Sequence, residues 1–65
     1  MDPIELIEEA IKAEEVARER YKNGADIAGD PETRSMFEQL AKWEEGHKRM
    51  LQERLATLKM MKGSK

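Results

Sequence analysis

The stretch that decides the fold is GDPET, residues 29–33. Glycine commonly ends a helix, aspartate caps the first turn of the next one, and proline suits the first helical position. We therefore expect Gly29 to stop one helix and Asp30 to cap another. A link this short makes two helices run antiparallel, so the sequence predicts an all-α helical hairpin.

The same pattern of cap and proline opens the chain at residues 2–3, and strong helix formers dominate on both sides of the turn. We predict a first helix over about residues 3–28 and a second over about residues 31–61. The dipeptide Asn23-Gly24 favours a turn and is a potential early end of the first helix. Because the apolar spacing continues beyond it, we expect the helix to be unbroken.

The composition limits the chain to a small protein without thiol chemistry. With 65 residues, of which 38% are hydrophobic and 40% charged, residues 1–65 can form one domain with a thin core. There is no cysteine, which excludes disulfides, thiolate ligands and a cysteine nucleophile. The formal charge of −2, with both signs interspersed, gives no basic patch for nucleic acid. The apolar runs are too short for a bilayer, so we expect a cytoplasmic protein without membrane or nucleic-acid partners.

Each predicted helix carries an apolar stripe at helical spacing. Polar residues interrupt both stripes: Glu14 in the first, and Glu44 and His47 in the second. The stripes consist of Ile4, Ile7, Ile11, Ala17, Tyr21, Ala25 and Ala28, widened by Leu6, Ala10 and Ala13, and of Phe37, Leu40, Leu51, Leu55 and Leu58, flanked by Met36, Ala41, Trp43 and Met50.

The three polar interruptions should meet at one level of the hairpin. Glu14 lies about 23 Å before the turn along the helix axis, and Glu44 and His47 lie roughly 21 to 26 Å after it. Residues three apart share a helix face, so Glu44 and His47 can bind one ion. A lone carboxylate in an apolar seam costs several kcal/mol, which favours a metal site. The alternatives are a buried polar pair that fixes bundle register, and a Glu14 side chain that extends to water.

A second copy of the hairpin would complete the core. Two helices cannot cover their own apolar faces, and two hairpins can pair into a four-helix bundle. A twofold axis through the polar level gathers two copies each of Glu14, Glu44 and His47. The resulting four carboxylates and two imidazoles are the ligand set of ferritin-like di-iron bundles, and four negative charges balance two divalent cations.

Two stretches carry a resemblance to a known family. EEVARERY, residues 14–21, and DPETRSMFEQLAKWEEGHKRML, residues 30–51, resemble the rubrerythrin branch of the ferritin-like superfamily, with its ExxARxxY, DPE and LAxxExxH patterns. The likeness runs over about residues 10–55. Because it has the size of half of the usual four-helix domain, the chain looks most like a half-ferritin of the encapsulated ferritin-like type.

The resemblance implies a site and a metal. Carried over residue by residue, the metal ligands fall on Glu14, Glu44 and His47, and Tyr21 matches a tyrosine near the site. It implies catalytic roles for these four residues, with core packing as the alternative reading of Tyr21. The implied cofactor is a pair of iron ions, although Mn(II) and Zn(II) accept such ligands too. The site would form between two subunits, in a homo-oligomer of at least two chains that a protein shell can enclose.

The function implied is that of an oxidoreductase. Ferroxidase chemistry in iron storage or oxidative-stress defence is expected rather than peroxidase chemistry, because the sequence carries no cysteine-ligated electron-delivery domain. A non-enzymatic helical dimerisation module and a divalent-metal carrier are the alternatives.

Three further features stay open. Gly46, between two candidate ligands, permits either a close approach of helices or a path to the ions, unless it is an ordinary surface glycine. Trp43 and Met50 are interpreted as interface packing. The acidic residues Glu8, Glu9 and Glu15 are interpreted as a solvated face, with an ion-entry patch as the alternative.

Overall fold

The computed structural model describes residues 2–63, which fold into two α-helices. Helix α1 spans Pro3–Ile27 and helix α2 spans Pro31–Gly63. Residues 28–30 link them, and the two helices pack against each other as the predicted all-α hairpin. Helix α1 ends one residue before the predicted boundary, and α2 continues two residues beyond it.

Aspartate caps start both helices, as the sequence predicts. An Asp2 carboxylate oxygen accepts a hydrogen bond from the backbone N–H of Glu5 at 2.9 Å, and Asp30 accepts one from Thr33 at 2.8 Å. These backbone donors favour the ionised carboxylates, so they lower the pKa of both aspartates. The caps satisfy amides that have no partner within their own helix.

Helix α1 ends two residues before Gly29, but the glycine does not end it through a left-handed conformation. Helix α1 is followed by Ala28 in an extended conformation, with φ −62° and ψ 130°. Within residues 2–63 no glycine, including Gly29, adopts a positive φ. The side chain of Arg34 donates a hydrogen bond to the carbonyl oxygen of Ala28 at 3.4 Å, so the turn is closed without a left-handed residue.

Helix α1 continues through Asn23 and Gly24, and the glycine has a packing role there. A Cβ atom at position 24 would lie 2.9 Å from the aromatic ring of Phe37 on α2. That ring stacks on Tyr21, with centroids 6.4 Å apart and planes inclined by 28°. The glycine therefore lets a phenylalanine ring approach the backbone of α1 near the turn.

The hairpin is one layer of helices with almost no enclosed core. Its Cα extents are 55 × 18 × 11 Å, and within residues 2–63 only Ala25 and Ala41 are buried. Several large apolar side chains are more than half exposed: Leu6, Val16, Ile27, Met36, Trp43, Met50, Met60 and Met61. Neither helix in the described range is long and apolar enough to cross a membrane.

Candidate metal centre

Three candidate ligands from two helices converge near the middle of the hairpin. His47 Nδ1 on α2 lies 3.7 Å from Glu14 Oε2 on α1 and 3.8 Å from Glu44 Oε1 one turn earlier on its own helix. One ligand atom from each of the three residues lies within 4.8 Å of the others. The antiparallel register thus brings together the three residues that the sequence places at one level.

The three side chains differ in exposure. Glu14 and Glu44 are mostly covered, with 23% and 18% of their side chains exposed, whereas His47 is 55% exposed. His47 is therefore more exposed than its place in the apolar stripe of α2 predicts. At about 100° per residue, His47 lies about 60° around the helix from Glu44. Because Glu44 faces α1 directly, the imidazole lies at the edge of the seam.

Glu14 carries a buried oxygen without a hydrogen-bond partner. Its Oε2 atom is fully covered and accepts no hydrogen bond within the described chain. His47 is the only basic residue of the range 2–63 that approaches Glu14 or Glu44 within 4 Å. Buried carboxylate oxygens normally have partners, so an orphaned one aimed at other ligand-type atoms fits a cation site.

The distances and the donor types agree with a divalent transition metal. Both separations from His47 are too long for hydrogen bonds. Two ligands that each lie about 2.0–2.2 Å from one ion are at most about 4.4 Å apart, so both pairs can share an ion. Carboxylate oxygens with an imidazole suit Fe(II), Mn(II) and Zn(II). The residues present fit the metal that the sequence resemblance implies.

Tyr21, the fourth predicted site residue, lies elsewhere. It follows Glu14 by two turns of α1, and its ring packs on Phe37 on the side of the hairpin that leads to the turn. Within residues 2–63 its hydroxyl has no hydrogen-bond partner among the observed side-chain bonds. A role of Tyr21 in catalysis stays a prediction.

Gly46 and the acidic residues of α1 also have observed surroundings. A Cβ atom at Gly46 would meet nothing within 4 Å, so this glycine does not serve an approach of α1 to α2. Two of the acidic residues that were interpreted as a solvated face form ion pairs with lysines of α2. Glu8 lies 3.5 Å from Lys59 Nζ, and Glu15 lies 3.7 Å from Lys48 Nζ.

Arg18 forms an ion pair beside the site that the sequence patterns did not predict. Arg18 on α1 donates a 2.7 Å hydrogen bond to Glu45 Oε2 on α2, and it also contacts Glu19 at 3.3 Å. The bond to Arg18 lowers the pKa of the Glu45 carboxyl, and the bond to Glu45 raises the pKa of Arg18. The antiparallel register could have predicted this pair, because Arg18 lies one turn after Glu14 and Glu45 directly follows Glu44.

Fold and site together define a class of protein. A helical hairpin that brings carboxylates and an imidazole together from facing helices has the ligand arrangement of carboxylate metal centres in helical bundles. A family model described as Rubrerythrin matches residues 5–64. The match covers nearly the whole chain, which belongs to the rubrerythrin family, a family of di-iron ferritin-like proteins. No curated protein and no solved structure compared with the chain gives a match.

Proposed function

We propose that this chain is a di-iron protein that oxidises Fe(II) at a site completed by two subunits. The observation that carries the proposal is the convergence of Glu14, Glu44 and His47, with a Glu14 oxygen that has no hydrogen-bond partner among residues 2–63. Membership of a di-iron family supports iron as the metal.

The need for two subunits follows from the number of ligands. One chain offers two carboxylates and one imidazole, too few to hold two ions in place and balance their charge. A twofold pair doubles the set to four carboxylates and two imidazoles, the composition of di-iron bundles. Four negative charges then offset two divalent cations, which removes the cost of collecting carboxylates at one level.

An apolar flank of the hairpin supplies a surface for the second copy. On α2 its members share one helix face with His47, and on α1 they share the facing edge. We call these residues the apolar flank: Leu6, Ala10, Ala13, Ala17, Met36, Trp43 and Met50. Because His47 is exposed on this same side, a hairpin that covers the flank also covers the imidazole.

The exposed area agrees with the pairing. The hairpin exposes 5103 Å², whereas a compact monomer of 7.5 kDa exposes about 4250 Å². The hairpin therefore exposes roughly 850 Å² more than a compact monomer of its mass, surface that a second copy could cover. The cross-helix ion pairs lie on the opposite side of the hairpin, so docking on the apolar flank leaves them in solvent.

The chemistry requires an acceptor for the electrons of iron. Two Fe(II) substrate ions give one electron each to dioxygen, which takes up two protons and leaves as hydrogen peroxide, with two Fe(III) as the other product. Glu14 and Glu44 would hold the ions through carboxylate oxygens that favour the higher charge of the product. His47 would supply the nitrogen ligand in its neutral form.

The test is anaerobic Fe(II) titration with native mass detection, followed by exposure to air. We expect two irons per dimer, no tightly bound iron on a monomer, and oxidation far faster than in buffer. The variant His47→Ala should lose both the bound iron and the fast oxidation. Lys59→Ala, which alters a cation remote from the site, should retain the bound iron and the fast oxidation. A fully loaded monomer would contradict the shared site. Tight binding with oxidation at the rate in buffer would instead favour a divalent-metal carrier, and no binding would leave a dimerisation module.

A further inference from the structure

Two pairs of adjacent glutamates each contain one candidate metal ligand and one residue that pairs with a cation of the opposite helix. In Glu14-Glu15 and in Glu44-Glu45, the first carboxylate joins His47 in the candidate metal centre. The second reaches a cation of the opposite helix. Glu15 lies 3.7 Å from Lys48 Nζ, and Glu45 accepts the 2.7 Å bond from Arg18.

The two cross-helix pairs have one register. A step of three residues back along α1, from Arg18 to Glu15, is matched by a step of three forward along α2, from Glu45 to Lys48. Both pairs therefore connect the helices with the same axial offset. They also lie next to the site in the sequence, because Glu15, Glu45 and Lys48 each directly follow a candidate ligand.

The pairs act on the side of the seam away from the imidazole. Starting from Glu44, which faces α1, the next residue Glu45 lies about 100° around the helix in one direction, and His47 lies about 60° in the other. A rotation of α2 that breaks the Arg18–Glu45 bond therefore also moves Glu44 and His47 relative to Glu14. The ion pairs resist this rotation as well as sliding along the axis.

Arg18 is placed where it could have neutralised a ligand. It lies four residues after Glu14 on the same face of α1, and 26% of its side chain is exposed. Its guanidinium binds Glu45 and Glu19 instead, so the Glu14 oxygen stays without a cation. A guanidinium on Glu14 would compete with a metal for the same lone pairs.

We propose that Arg18, Glu45, Glu15 and Lys48 are positioning residues, which set the axial and rotational fit of α1 on α2 so that Glu14, Glu44 and His47 converge on one ion. The proposal rests on the metal-binding function proposed above. A slip of one residue moves the ligands by about 1.5 Å, whereas metal–ligand distances tolerate only about 0.2 Å. Both ion pairs are partly open to solvent, with 40% of the Glu45 side chain and 49% of the Glu15 side chain exposed. Because such pairs contribute little to stability, their main effect should appear in the site.

The experiment uses Co(II) as a probe, because its visible spectrum reports ligand geometry and it binds without turnover in air. Arg18→Gln and Glu45→Gln should each weaken Co(II) binding about tenfold, the scale seen when residues that orient metal ligands are lost, and should alter the Co(II) spectrum. Melting temperatures without metal should stay close to wild type. The charge-reversed double variant Arg18→Glu with Glu45→Arg should restore affinity and spectrum.

Lys59→Gln is the control, because it breaks another cross-helix ion pair, in which Lys59 Nζ lies 3.5 Å from Glu8, at a point about 18 Å along α2 from His47. It should leave Co(II) binding unchanged. The proposal is overturned if the Arg18 and Glu45 variants bind Co(II) as wild type does, or if the control loses as much affinity as they do. If wild type itself binds no Co(II) or Fe(II), the proposed function has failed and no site exists to be positioned.

Discussion

Glu14 Oε2 lies 3.7 Å from His47 Nδ1 on the facing helix, too far for a hydrogen bond, and within the described part of the chain it has no hydrogen-bond partner. A carboxylate oxygen in this state destabilises the metal-free protein, since the hydration lost by that covered atom is not replaced. The same atom is available to a metal ion because nothing competes for it. Metal binding and metal-free stability should therefore oppose each other at this position.

Replacing Glu14 with Ala tests this opposition directly. The variant should melt at or above the temperature of wild type without metal, because an unpaired charge has been removed. The stabilisation by Fe(II), about 2.7 kcal/mol when its concentration is 100 times Kd, should largely disappear. The measurement is a set of anaerobic melting curves with and without Fe(II) at fixed protein concentration.

Glu9→Ala is the control for that measurement, because it removes an exposed carboxylate of α1 that belongs neither to the three ligands nor to the proposed positioning pairs. It should retain more of the Fe(II) stabilisation than Glu14→Ala does. If Glu14→Ala melts well below wild type without metal and gains as much from Fe(II), Glu14 is a structural residue and not a ligand.

Two glycines in helix interiors should respond in opposite directions to alanine. At Gly24 the new Cβ would lie 2.9 Å from the Phe37 ring, so Gly24→Ala should destabilise the protein by about 1–3 kcal/mol. At Gly46 it would meet nothing within 4 Å, so Gly46→Ala should add up to about 1 kcal/mol through helix propensity. Urea unfolding without metal measures both. Equal changes in stability would show that the ring of Phe37 does not limit position 24.

Acid should weaken the capped turn. Backbone donors lower the pKa of Asp30 in the folded protein, so its contribution is present above the ordinary aspartate pKa of about 3.9 and is lost as the pH falls through the lower folded value. Asparagine caps a helix as well but carries no charge. As the pH falls from about 5 to about 2, the melting temperature of wild type should therefore drop relative to that of Asp30→Asn. A difference independent of pH would contradict the charged cap.

A substitution of Tyr21 by Phe distinguishes a catalytic role of the hydroxyl from core packing by the ring. The ring stack on Phe37 should survive, so the melting temperature should change little. If the hydroxyl serves the reaction, the rate of Fe(II) oxidation should fall while the number of bound ions stays the same. Stopped-flow oxidation of preloaded protein gives both quantities. An unchanged rate would assign Tyr21 to packing alone.

The sequence was sufficient for the hairpin because its causes are local. The caps at Asp2 and Asp30 and the apolar spacing act within a few residues, and the short turn then fixes the antiparallel register. That register places Glu14 level with Glu44 without further information. Continuity through Gly24 was also predicted, but its packing on Phe37 depends on which residue of α2 faces it.

Side-chain exposure and ion-pair partners depend on how far each helix is rotated about its axis. The spacing of residues in the sequence does not determine that rotation. The exposure of His47 follows from Glu44 being the residue that faces α1 directly. The choice of Arg18 for Glu45 rather than Glu14 likewise depends on side-chain direction. Sequence patterns identify the groups that share a level, whereas three-dimensional contacts decide which of them pair.

Trp43 gives the most direct test of pairing through the apolar flank. It is the only tryptophan in the sequence, is 55% exposed, and lies one turn before His47 on the same helix face. If a second hairpin covers the flank, its fluorescence should shift to shorter wavelength as the protein concentration rises through the dimer Kd. Trp43→Ala should raise that Kd at least about tenfold, because loss of a buried interface tryptophan commonly costs about 2 kcal/mol or more. Val16→Ala, at a residue 53% exposed on the outer face of α1, should leave the Kd unchanged. Sedimentation equilibrium measures the Kd, and equal effects of the two substitutions would contradict docking on the apolar flank.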